Sequence, residues 1–121
     1  MSKSNINYKI KSYNFGLIAE YIAIILLIIK GYNILRHRYK NRFGEIDIIA
    51  KKLHKIVFIE VKARKNNNFI KESISTQQIN RIKNSAEIFI SQNQHYSNYY
   101  FRYDLIIFNK IFIAKHFKNF F

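Results

Sequence analysis

The sequence predicts an α/β fold, a central mixed sheet flanked by helices, with elements in the order α-β-β-β-α-β-β. Three observations carry this reading. The apolar stretch LIAEYIAIILLII, Leu17–Ile29, has the length of a buried helix. Two runs rich in Ile, Val and Phe, Glu45–Lys51 and Lys55–Ala63, alternate as strands do and lie one turn apart. A stripe of Ile79, Ile82, Ala86, Phe89 and Ile90 at helical spacing then precedes another strand, Phe101–Phe108.

The elements follow in chain order. Residues 1–11 are polar and basic and read as a loose N-terminal arm, with one domain over residues 12–121. Ser12 or Asn14 can cap the first helix, and Gly31 is placed to end it near Lys30. Tyr32–Tyr39 reads as the first strand. The hairpin Glu45–Ala63 supplies the second and third strands, and ARKNNNFIKES is a polar loop. Ser75 or Thr76 can cap the second helix, which runs to about Gln92. HYSNYY is a loop, and a short fifth strand covers Ile111–His116. Strand three, helix two and strand four together suggest a right-handed parallel crossover.

Composition narrows the function classes. With 49% hydrophobic residues in 121, the chain can bury a core. The lack of Cys excludes disulfides and thiolate metal sites and fits a reducing compartment. A membrane span needs about 20 apolar residues. The run at Leu17–Ile29 is shorter and holds Glu20, so no span is expected and the cytoplasm follows. A net charge of +14 points to a polyanionic partner, nucleic acid before an anionic membrane surface. A monomer or a homodimer fits equally.

The hairpin GEIDIIAKKLHKIVFIEVKARK carries three of the seven acids, Glu45, Asp47 and Glu60. Strand alternation puts Val57, Ile59, Val61 and Ala63 on one face, with Phe58, Glu60, Lys62 and Arg64 on the other. Likewise Ile46, Ile48 and Ala50 share a face opposite Glu45, Asp47 and Ile49. A turn centred between Leu53 and His54 sets Asp47 across from Glu60, and Glu45 across from Lys62. Opposed side chains have Cβ atoms about 5 Å apart. Two carboxylates that close repel unless one takes a proton or a cation sits between them. Hard oxygen ligands favour magnesium or manganese. The plainer alternative is a solvated face with a Glu45–Lys62 pair.

Glu20 is the lone charge between Lys11 and Lys30, in a helix that is apolar on nearly every side. Such an acid is costly unless paired. It serves the same site as a further carboxylate, or it meets solvent or a buried Lys or Arg.

Ala19-Glu20, Gly44-Glu45-Ile46-Asp47, Phe58-Ile59-Glu60-Val61-Lys62 and Arg102-Tyr103-Asp104 resemble the small bacterial YraN-like proteins. Through them the chain resembles the PD-(D/E)XK nuclease superfamily, with its restriction endonuclease-like and Holliday junction resolvase-like folds. The resemblance spans roughly residues 13–117. It implies a restriction endonuclease-like core in which Asp47 and Glu60 bind Mg2+ or Mn2+, with the Val61 carbonyl as a further ligand. Lys62 would position the attacking water and steady charge on the scissile phosphate. Glu20 would complete the metal shell. Ile46 stands where the superfamily has Pro, and Gln77-Gln78 where relatives often carry a basic residue. The implied activity is metal-dependent endonucleolytic hydrolysis of DNA, on branched or single-stranded substrates. The rival reading is a non-catalytic nucleic-acid-binding module that keeps the fold.

Arg36, Arg38, Lys40 and Arg42 lead into the hairpin, and Arg64 and Lys65 continue past Lys62. All six are candidate phosphate contacts. No base-reading motif accompanies them, so backbone or structure recognition is expected. Arg102 and Asp104 share a strand face and suit an ion pair or a substrate contact. Glu45 and Gln78 complete the supporting set.

Overall fold

The computed structural model describes residues 3–64 and 74–121. The elements are α1 (Lys3–Ile29), β1 (Asn33–Asn41), β2 (Gly44–Lys52), β3 (Lys55–Ala63), α2 (Thr76–Gln92), β4 (Tyr100–Phe108) and β5 (Ala114–Phe117). A short 3-10 turn, Gln94–Tyr96, overlaps the start of the expected HYSNYY loop, whose last residue, Tyr100, already opens β4. The five strands lie in the order β1-β2-β3-β4-β5. Only β3 and β4 run parallel, and α2 is the crossover between them. The result is the expected α/β fold with a mixed sheet, consistent with a restriction endonuclease-like core.

The helix ends are set by local chemistry. Gly31 has φ +92°, a conformation costly for any residue with a Cβ. Its N–H donates to the Ile28 carbonyl and the Tyr32 N–H to the Leu27 carbonyl, a Schellman closure. Leu27 and Tyr32 are both buried in the same cluster, which seals the end. At α2, Ser75 is the N-cap and its Oγ accepts the Gln78 N–H at 3.1 Å. The start of α1 departs from expectation, because residues read as a loose arm are helical from Lys3. The helix of the apolar stretch continues backward through Gly16 into residues 3–15, which hold neither Gly nor Pro.

The sheet is covered on both faces. Ala19, Ala23 and Leu27 of α1 pack against Ile48, Ala50, Val57, Ile59, Val61, Ile106 and Phe108. Small residues one turn apart let this helix sit close to the strands. Ile82, Ala86 and Phe89 of α2 pack on the opposite face against Ile46, Ile49, Ile56 and Phe58. β3, central in the sheet, is therefore buried from Ile56 to Val61.

The β2–β3 register is the one the alternation predicts. Ile48 opposes Ile59, Ile49 opposes Phe58 and Lys52 opposes Lys55, about a turn at Leu53-His54. Leu53 takes φ 54°, the left-handed conformation that the sequence does not advertise with Gly or Asn. The ladder stops at Ile48–Ile59, one pair short of Asp47 and Glu60. A second irregularity accompanies the stop. Ile46 lies in the α2 cluster with Ile49, while Ile48 and Ala50 lie on the α1 side. Strict alternation thus breaks around Asp47, and the expected shared face of Ile46, Ile48 and Ala50 does not form. On β1, Arg38 adopts φ 56° between the pairs His37–Ile48 and Tyr39–Ile46, at the level of Asp47. A bulky side chain in this region marks local strain.

Candidate functional site

Where the ladder stops, the side chain of Asp47 takes over from the backbone. Its Oδ2 accepts the Val61 N–H at 2.8 Å. This contact turns the carboxyl toward β3 and makes Glu60 its close electrostatic neighbour. The two acids that alternation placed opposite each other do meet. Glu60 is 5% exposed. From β3 it faces the α2 side, where the first turn of α2 delivers Gln78, and Nε2 of Gln78 donates to Glu60 Oε1 at 3.0 Å. Lys62, two residues on and on the same face, places Nζ 3.3 Å from that oxygen. Lys62 therefore pairs with Glu60, and not with Glu45 as the extrapolated register suggested. Glu45 is opposed to Lys40 across β1–β2, with a loose 4.0 Å contact at the surface.

The electrostatics of the pair are unbalanced. Burial pushes the Asp47 carboxyl far above its ordinary value, and the neighbouring charge of Glu60 adds to this. The Val61 N–H works against the rise without cancelling it. Glu60 is raised as well, by burial first, with Lys62 and the hydrogen bond from Asp47 opposing. With both carboxyls ionised, the pair would hold two negative charges against the one lysine, among the described residues, that is in ion-pair contact with it.

Glu20 lies close enough for its charge to raise the proton affinity of both acids. Its own carboxylate, however, is engaged. Arg38 grips it with Nη2 at 3.1 Å and Nε at 3.3 Å, and His37 Nε2 lies 3.2 Å from Oε1. Among the described residues, no three His, Cys, Asp or Glu side chains gather as a metal cluster. Of the expected ligand set, Asp47 and Glu60 come together, Val61 is in contact through its N–H, and Glu20 stands behind a basic clamp. The clamp explains how an acid survives in an apolar helix. Alternation gave no hint of it; the lone acid facing a nearby Arg-His-Arg run was the available signal.

The basic candidates divide into two groups. Arg38 is committed to Glu20, which raises its already high proton affinity, and its guanidinium also lies 5.8 Å from the Tyr13 ring centroid. It is thus an internal partner as well as a surface cation. Arg36, Lys40 and Arg42 are exposed. Arg36 lies over the Phe89 ring at 5.7 Å and Arg42 over Phe43 at 5.0 Å. Arg64 directs Nη1 to the Ala63 carbonyl at 3.2 Å, just beyond the site strand. Lys65 lies outside the described residues.

Arg102 and Asp104 form an internal ion pair, bidentate at 2.8 Å. Asp104 is fully buried and also meets His116 Nε2 at 2.8 Å and the Asn119 N–H at 2.9 Å. Burial alone would raise this carboxyl; His116, Arg102 and the Asn119 N–H together hold it below the usual carboxylate range. Arg102 reaches Tyr32 Oη at 2.6 Å, tying β4 to the end of α1. Of the two readings offered for this pair, the structural one describes its contacts.

Residues 19–108 match the uncharacterised protein family UPF0102. A UPF0102 protein of Mesorhizobium japonicum is 38% identical over 96 residues, covering 79% of this chain and 77% of the relative. One from Ehrlichia ruminantium is 41% identical over 104 residues, 85% of this chain and 80% of the relative. One from Rhizobium etli is 33% identical over 109 residues, 90% and 89% of the two chains. The matched span holds Glu20, Asp47, Glu60, Lys62, Gln78, Arg102 and Asp104, and the chain belongs to the UPF0102 family, the YraN family that its motifs resemble.

Proposed function

We propose that this protein is a metal-dependent endonuclease acting on DNA, with Asp47 and Glu60 as metal ligands and Lys62 as the catalytic cation. One observation carries the reading. A half-buried and a buried carboxyl are held as neighbours, both with raised proton affinity, at a point where the sheet ladder opens. A fold that gathers negative charge without completing its neutralisation suits a cation. The donors are hard oxygens, which fit Mg2+ or Mn2+. The +14 net charge and the exposed Arg36, Lys40 and Arg42 suit a phosphate backbone.

A divalent ion bound there would polarise a phosphoryl oxygen and acidify a water. The chain's own groups do the rest. The Val61 N–H and Gln78 Nε2 fix the orientations of Asp47 and Glu60. Asp47 releases its proton when the site is loaded, so uptake strengthens as pH rises. Lys62 Nζ, beside Glu60, carries positive charge to the phosphate and steadies the charge that develops there. Glu20, held by Arg38 and His37, adds negative field behind the pair.

Titration calorimetry with Mg2+ and Mn2+, paired with cleavage assays on duplex, single-stranded, flap and four-way DNA, tests this. Wild type is expected to take up metal and to cut branched or unpaired DNA in preference to plain duplex. Asp47→Ala should abolish metal uptake and cleavage while retaining DNA binding. Lys62→Ala should keep metal uptake and lose cleavage. DNA binding with neither metal uptake nor cleavage by wild type would replace the enzyme with a non-catalytic binding module.

A further inference from the structure

The outer face of α1 is apolar where water should select polar side chains. Ile18, Tyr21, Ile25, Ile28 and Ile29 are 47, 53, 57, 55 and 76% exposed. Helical spacing puts them on the side opposite Ala19, Ala23 and Leu27, which meet the sheet. The strip widens beyond the helix. In the β4–β5 turn Phe112 packs on Phe15 of α1, with ring centroids 4.8 Å apart. Its neighbours Ile111 and Ile113 are 66 and 57% exposed. Single exposed apolar side chains are ordinary, but a contiguous strip marks a contact surface.

Charge indicates what covers it. Lys11 and Lys30 are exposed towards the two ends of the strip, and Lys110 is exposed at the turn. No described acid opposes them. Glu20 is turned onto Arg38 and His37, and Asp104 is buried in its own network. The other described acids, Glu45, Asp47, Glu60 and Glu87, lie on β2, β3 and α2. A second copy would bring two +14 chains and two lysine rims together. An anionic lipid surface instead offers acyl chains to the strip and phosphates to the lysines. Alongside, a cavity of about 330 Å³ opens between α1 and β5, walled by Ile22, Leu26, Phe112 and Ala114. It is bordered by Lys30, whose Nζ lies 3.2 Å from His116 Nδ1. Apolar walls with a cationic edge match the same amphiphilic chemistry.

We infer that the outer face of α1 docks the protein on an anionic lipid surface, lying in the interface without crossing it. Among the described residues no helix is long and apolar enough to cross a membrane, and docking in the plane requires none. The docking goes beyond the nuclease reading and is independent of it. It leaves Glu60, Lys62 and Gln78 uncovered, because they lie on the α2 side of the sheet.

The test sediments the full chain with vesicles of phosphatidylglycerol or of phosphatidylcholine. Wild type is expected to bind the anionic vesicles and to stay in solution with the neutral ones. The triple variant Ile18→Ser/Ile25→Ser/Ile29→Ser should lose roughly a hundredfold or more in binding. Its melting midpoint and its DNA affinity should not change, since these side chains cover no core. Lys11→Ser/Lys110→Ser should weaken binding and reduce its salt dependence. Three results would overturn the inference. In the first two, wild type leaves both vesicles alone, or the triple variant binds as wild type does, leaving charge as the only attraction. In the third, analytical ultracentrifugation finds a wild-type dimer that the triple variant dissolves, so that a second copy covers the strip.

Discussion

Two groups of buried acid in this molecule reach opposite electrostatic ends. Asp104 is fully buried, yet its carboxyl sits below the usual range, because a guanidinium, an imidazole and a backbone N–H surround it. Asp47 is half-buried and Glu60 buried, and both are raised, by burial first; the charge of Glu60 adds to the rise at Asp47, while Lys62, in contact with Glu60, opposes the rise there without cancelling it. Burial is common to both, so it does not decide the outcome. The sum of charge and donors around each carboxyl does. Around Asp104 the sum closes, and the group holds β4, β5 and the end of α1 together. Around Asp47 and Glu60 it falls short, and both carboxyls stay raised.

The largest expected effect comes from breaking the closed group. Asp104→Asn should cost about 3–5 kcal/mol in chemical denaturation, since Arg102 would keep its place without its counter-charge and His116 would lose its carboxylate partner. Wild-type stability contributed by Asp104 is present above the unfolded carboxylate value of 3.8 and is lost as pH falls through its lower folded value.

The open pair should respond with the opposite sign. Its folded proton affinity is raised, so the stability it contributes to the metal-free protein is fully present below the unfolded value of 3.8. That stability is lost as pH rises through the folded value, which for Asp47 reaches about 9. Asp47→Asn should therefore raise metal-free stability at alkaline pH by about 1–3 kcal/mol, measured by urea unfolding. Mn2+ should raise the melting midpoint of wild type more at pH ~8 than at pH ~6, and leave the variant unmoved. A variant less stable than wild type at alkaline pH would mean that the pair is as closed as Asp104.

The Glu20 clamp stands between these extremes, and Arg38→Ala should cost about 1–2 kcal/mol by leaving a half-buried acid with His37 alone. The same substitution should change the salt slope of DNA binding less than Arg42→Ala, which should lower it by about one phosphate contact. Equal slopes would restore Arg38 as a phosphate contact. The smallest effect lies in neither group. Leu53→Gly, which relieves a left-handed turn residue, should add about 0.5–1 kcal/mol.

What could be read along the chain was local. Alternation and turn length are properties of adjacent residues, and they put Asp47 across from Glu60 and Val57, Ile59 and Val61 on one face. Gly31 and Ser75 announced helix ends because the orphan backbone groups they serve lie within one turn. Extrapolation failed where the backbone ceased to be regular. The ladder opens after Ile48–Ile59, Ile46 changes face, and the supposed Glu45–Lys62 pair gives way to Lys62 on Glu60. The left-handed Arg38 opposite that point has no signature in residue type.

By itself the sequence determined the order of elements, the hairpin register and the meeting of two carboxylates near a lysine, since each follows from short-range backbone periodicity. It also determined the +14 charge that any partner must meet. Only the tertiary structure decided which acids are neutralised. His37 and Arg38 reach Glu20 from a strand 17 and 18 residues away, and His116 closes on Asp104 from a different strand. Proton affinity is set by the charges and donors that packing brings within a few ångströms, and a linear order of residues does not contain those distances.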